Sequence, residues 1–137
     1  MNLKIEDSVL KEICLHLTES YPNEGCGFLY GTDGGERQIL FSAKTSNSKS
    51  GDQKRRFEIS PEDYMHAEKF AIEKNFSLLG IYHSHPDHPA LPSEHDLSVA
   101  FPFFSYIIIS VLKGKTGEIT SWRLNENSKK FEKEIIL

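Results

Sequence analysis

His83 to Asp96 reads HSHPDHPALPSEHD, and these fourteen residues hold four of the chain's six histidines together with two aspartates and a glutamate. Side chains of this kind gather at metal sites, yet a catalytic zinc takes only about three protein ligands. The fold must therefore select among them and carry the selected ones to a common point. His83 and His85 are alternate residues. In an extended chain alternate side chains share a face, so both imidazoles project together and Ser84 points away. Pro86 keeps His85 in the extended region. Leu78 to His83 has the composition of a buried strand, which places the pair at a strand end.

A third ligand has four candidates: Asp87, His88, His95 and Asp96. Asp87 and His88 follow Pro86 directly and need a tight reversal. Ser93 and Asp96 are three apart at a helix start and face one side, whereas His95 is turned about 100° from Asp96. The spacing favours Asp96 with Ser93 beside it and leaves His88 open. Ser93-Glu94-His95-Asp96 also reads as a capping box with Asp in the usual Glu place, in which both side chains serve backbone N–H groups.

The rest of the chain supplies a scaffold. Leu3 to Ile5 reads as a short strand, and Val9, Leu10, Ile13, Cys14 and Leu17 recur at helical spacing over residues 8–20. Residues 25–31 and 38–44 flank TDGGE and predict a hairpin. Thr45 to Lys54 is a polar loop, and Arg56 to Ile59 reads as a further strand. Ser60 and Pro61 open a helix over residues 61–75, with Tyr64, Met65, Ala67 and Phe70 inward. A short helix runs from Ser93 to near Ala100, and strands follow over 106–112, 118–124 and 130–136. With 137 residues the expectation is a single α/β domain over 1–137, a mixed curved β-sheet flanked by two or three helices.

Composition narrows the function. A net charge of −4 argues against nucleic acid as a partner. The longest apolar run is far too short to span a bilayer. The charged N-terminus lacks an apolar signal region, and Cys14 and Cys26 read as reduced thiols, so a cytoplasmic protein is expected. Cys26 lies close to Glu24, but its expected place is a small buried residue on a strand. The H-x-E and P-C-x-x-C pair of nucleobase deaminases is absent, and GTDGGE lacks the lysine of a phosphate loop. Lys49, Lys54, Arg55 and Arg56 read as a solvated loop that can also steer an acidic protein partner.

His83-Ser84-His85-Pro86 followed by Ser93 and Asp96 resembles the His-(Ser/Thr)-His-Pro-x6-Ser-x2-Asp motif of the JAMM (MPN+) zinc isopeptidases. Glu24 in PNEGCGFLYG matches that family's upstream glutamate, and RRFEISPEDY before the second helix adds to the likeness, which spans Glu24 to about Leu112. The resemblance implies an MPN/JAMM-like, cytidine-deaminase-like fold. It further implies one zinc ion with a bound water held by His83, His85 and Asp96, Glu24 as general base and acid, and Ser93 as oxyanion stabiliser. His88 and His95 are not implied as ligands and read as a loop and a helix-surface histidine. The short interval between Asp96 and Tyr106 is similar to that of the small prokaryotic branch. This branch implies a ubiquitin-like sulfur-carrier protein with a C-terminal Gly-Gly as partner, whose tail can add as a strand to an exposed sheet edge.

Overall fold

The computed structural model describes residues 1–137. In chain order the elements are β1 (Asn2–Ile5), α1 (Asp7–Ser20), β2 (Cys26–Asp33), β3 (Arg37–Thr45), α2 (Pro61–Glu73), β4 (Ser77–Pro86), α3 (Glu94–Ser98), β5 (Ser105–Leu112), β6 (Lys115–Asn125) and β7 (Lys130–Ile136). The strands lie in the order β1-β3-β2-β4-β5-β6-β7, and β1 also pairs with β7, so the sheet closes on itself. The expected α/β fold with a mixed sheet and three helices is present, but the sheet is closed where a curved, helix-flanked sheet was expected. Every strand has two neighbours, but β3 beyond Ile39 and β7 before Ile135 are paired on one side only. Closure depends on the four residues of β1, which run parallel to both β3 and β7.

The central strands are buried on both faces, as their near-continuous apolar runs require. In β2, Leu29 joins the cluster around Val9, Ile13 and Leu17 of α1. Its neighbours Phe28 and Tyr30 join Ala67 and Ala71 of α2. The period of two thus sends successive side chains into two separate cores, one under each helix. Met65, expected inward, is exposed; Ala67 and Ala71 take the buried face of α2.

Two local features position the site. Gly80 lies where an added Cβ would meet the Ser105 carbonyl oxygen at 1.9 Å. The absent side chain lets β4 and β5 run side by side in a register that pairs His83 with Ile108 and His85 with Ser110. At the other end of β5, Lys113 and Gly114 both have positive φ, 51° and 82°, the two-residue turn that suits a twisted hairpin.

Residues 56–59 do not form the expected strand. Their polar groups turn to the preceding loop instead: the Glu58 amide donates to Asn47 Oδ1 at 3.1 Å, and the Glu58 carbonyl accepts from the Ser48 amide at 2.9 Å. No helix is long and apolar enough to cross a membrane.

Candidate metal centre

His83 and His85 stand at the C-terminal end of β4, on one face, as alternation requires. Their Nε2 atoms are 3.2 Å apart. Asp96, in the first turn of α3, faces both: Oδ1 lies 3.3 Å from His83 Nε2 and Oδ2 lies 3.1 Å from His85 Nε2. A tetrahedral ion with bonds of ~2.0–2.1 Å separates its ligand atoms by about 3.3 Å. The three edges therefore have the length that such an ion imposes. His83, His85 and Asp96 are all buried.

Hydrogen bonding fits a cation as well. His85 Nδ1 lies 2.9 Å from the Pro89 carbonyl, which only accepts, so Nδ1 carries a proton and fixes the ring. In the neutral ring Nε2 is then a lone pair aimed at a carboxylate and at a second imidazole. A proton on His85 relieves that clash for one contact; a cation satisfies all three donors at once. His83 is held face to face by the Phe57 ring, stacked at 4.5 Å between centroids, and its Nδ1 is buried without a partner.

Glu24 closes the site from the turn just before β2. One ligand atom each from Glu24, His83 and His85 lies within 4.8 Å of the others. This triad and the one built on Asp96 share both imidazoles. Oε1 of Glu24 is buried with no hydrogen-bond partner. Burial, with Asp96 and Asp52 nearby, pushes the Glu24 carboxyl up to about 9. Burial acts to raise Asp96 too, but the imidazole of His83, the hydrogen bond from His85 and the Ser93 amide hold it well below the usual carboxylate range. Burial lowers His83. It acts to lower His85 as well, but the bonds to Asp96 and Pro89 outweigh it and the net shift is upward. The two carboxylates thus diverge, a pattern found where one acid binds and another moves protons.

Ser93 and Asp96 do form a capping box: Ser93 Oγ accepts from the Asp96 amide at 3.0 Å, and Asp96 Oδ2 accepts from the Ser93 amide at 2.9 Å. The capping reading of this pair holds, and the same Asp96 carboxylate also faces the two imidazoles. Because Oγ accepts, its own proton is free to be donated. Ser93, Glu24 and His85 line one open cleft of about 480 Å³, whose other walls include Pro86, Pro89 and Leu91.

His88 lies exposed on the wall of this cleft, away from the converging atoms. His95 is not a plain surface residue: its Nε2 is 3.2 Å from the Phe57 carbonyl and ties α3 to the segment after the loop. Cys26 is buried on β2, and burial, with Glu24 beside it, pushes its thiol up to about 12, which keeps it protonated and inert. Sequence reasoning missed Asn47, Gln53 and Phe57. Asn47 and Gln53 sit in a stretch whose polar composition marks only a loop. The Pro89 carbonyl leaves no side-chain signal at all.

The family of prokaryotic homologues of the JAB domain matches residues 6–125. The desampylase of Pyrococcus furiosus is 30% identical over 123 residues, 90% of this chain and 82% of that protein. A probable TtuB-protein conjugate cleaving protease of Thermus thermophilus is 32% identical over 106 residues, 77% of this chain and 68% of that protein. The solution structure of protein DSY2949 from Desulfitobacterium hafniense superimposes with a TM-score of 0.85 at 29% identity, covering 98% of this chain and 91% of that one. The chain belongs to the prokaryotic JAB-domain family.

Proposed function

We propose that this member of the prokaryotic JAB-domain family is a zinc-dependent hydrolase that cuts the amide bond following the C-terminal Gly-Gly of a ubiquitin-like sulfur-carrier protein. The observation that carries the reading is the meeting of His83 and His85 from β4 with Asp96 from α3 and Glu24 from the turn before β2, of which Glu24 and His85 line the cleft. The relatives support the bond type, since one is named for cleaving a protein conjugate and the other is a desampylase.

His83, His85 and Asp96 would hold the zinc, whose chemistry is that of a Lewis acid able to lower the pKa of water from 15.7 to about 7. Glu24 accepts the proton of the attacking water and returns it to the leaving amine, a role worth about 10²–10⁴ in rate. A nearby positive charge favours the ionised carboxylate, which offsets the burial that otherwise holds Glu24 protonated. Ser93 donates its free hydroxyl proton to the substrate carbonyl oxygen as charge develops there. Pro86, Pro89 and Leu91 give the cleft bulky apolar walls, and an extended tail without side chains is the segment that passes between such walls most easily.

The test is incubation of the zinc-loaded protein with a sulfur carrier whose Gly-Gly is extended by cysteine or a short peptide, followed by mass analysis. Loss of the extension is expected with the wild type. Glu24→Gln should retain zinc and release nothing. A cleaving Glu24→Gln protein removes Glu24 from the mechanism; a wild type that holds zinc but cuts no such carrier removes the substrate class.

A further inference from the structure

The loop between β3 and α2 has a role that the catalytic residues leave unused. Lys54, Arg55 and Arg56 are consecutive and exposed. Lys49 is taken by Glu58 at 3.3 Å, but the trio faces only one acid, Asp52, whose carboxylate is 4.0 Å from Arg55. Anchors on both sides fix its place. Gln53, just before it, accepts the Glu24 amide on its carbonyl at 2.6 Å. The Arg56 carbonyl accepts from Asn47 at 3.1 Å, and Phe57, just after it, stacks on His83. Arg55 itself lines the cleft with His85 and Ser93. A chain of net charge −4 therefore holds a cluster of cations at the mouth of its site, tied to the backbone of Glu24.

We infer that Lys54, Arg55 and Arg56 form a docking rim for an acidic protein face adjacent to the tail that enters the cleft. This rests on the hydrolase reading above and adds the charge of the substrate protein to it. Cations at a cleft mouth raise the encounter rate of an oppositely charged partner by about 10- to 10³-fold, and salt removes the gain. The surrounding acidic chain disfavours a polyanionic nucleic acid and suits a folded partner with a local acidic patch.

The test compares two probes: an acidic ubiquitin-like sulfur carrier with a peptide-extended Gly-Gly, and that same extended tail as a free peptide. Lys54→Glu/Arg56→Glu should lower kcat/KM for the carrier by about tenfold or more, and change it less than twofold for the peptide. Raising salt should erase the difference between wild type and variant on the carrier. Equal losses on both probes, or a carrier rate indifferent to salt and to charge reversal, overturn the rim. So does displacement of the carrier by a single-stranded oligonucleotide at equal concentration. Binding of the carrier to Glu24→Gln, followed by fluorescence anisotropy across the same salt series, tests the rim even where no amide is cut. A failure of the hydrolase reading is thereby distinguished from a failure of the rim.

Discussion

The side-chain amide of Asn47 donates to the backbone carbonyl of Glu24 at 3.1 Å. The same amide donates to the Arg56 carbonyl, and its oxygen accepts from the amides of Lys49 and Glu58. All four hydrogen-bonding positions of the side chain are used. Asn47 thus joins Glu24 to the loop that frames it.

Asn47→Ala removes this brace without touching the imidazoles or Asp96. The expected result is a kcat lower by about tenfold or more, since small misplacement of a reacting group is costly, with bound zinc unchanged. Leaving buried polar groups unpaired costs roughly 1–3 kcal/mol of stability. Steady-state kinetics, metal analysis and denaturant unfolding separate these effects. Wild-type kcat in a correctly folded Asn47→Ala protein would show that Glu24 needs no help from the loop.

Asp96→Ala removes a carboxylate that serves both the site and the cap of α3. Zinc content should fall sharply, and stability should drop by about 1 kcal/mol from the lost cap alone. Asp96→Asn keeps one oxygen to accept the Ser93 amide, so it should hold more of the stability while still losing zinc. Full metal retention in either variant would assign the ion to Glu24 with the two histidines.

The carboxyl of Glu24 is held at about 9 in the fold, against an ordinary 4.5. Below its ordinary value it is protonated in both states. As pH rises towards 9 the unfolded chain releases the proton while the fold retains it, so stability is lost through that window. Protein stripped by a chelator should therefore show a thermal midpoint that declines from about pH 5 to about 9. Glu24→Gln should flatten the decline. Asp96 acts oppositely: its carboxyl is depressed from 3.8, so its contribution is present above that value and fades only in stronger acid. Identical pH profiles for wild type and Glu24→Gln would contradict the burial assigned to Glu24.

Gly27 faces the ring of Tyr82, where an added Cβ would lie 2.3 Å from the nearest ring carbon. Tyr82 is buried and its hydroxyl pairs with His16 Nδ1 at 2.7 Å. Gly27→Ala should force the ring aside and destabilise the protein by about 1–3 kcal/mol, read by chemical denaturation. Gly34→Ala, where an added Cβ meets nothing within 4 Å, serves as the comparison. Equal stability of the two variants would show that the ring shifts freely.

The legible part of this protein is the part written in local spacing. The period of two that aligns His83 with His85, and the interval that sets Ser93 beside Asp96, are properties of a strand end and a helix start and need no tertiary knowledge. Closure of the sheet is different. It depends on Leu3 finding Arg37 on one side and Ile136 on the other, and a four-residue strand carries no mark of its partners. The loop misled for another reason. Arg56 to Ile59 has the apolar alternation of a strand, but Asn47 competes successfully for its backbone groups, and side chains that imitate a ladder partner are invisible to periodicity.

At five residues, α3 is too short to persist by itself, and the acid that ties its first turn is the same one that faces the imidazoles. An ion held by Asp96 would therefore brace the turn as well as the imidazoles. Slower amide exchange at Ser93 and Asp96 on adding zinc would then report occupancy of the centre from a position outside it.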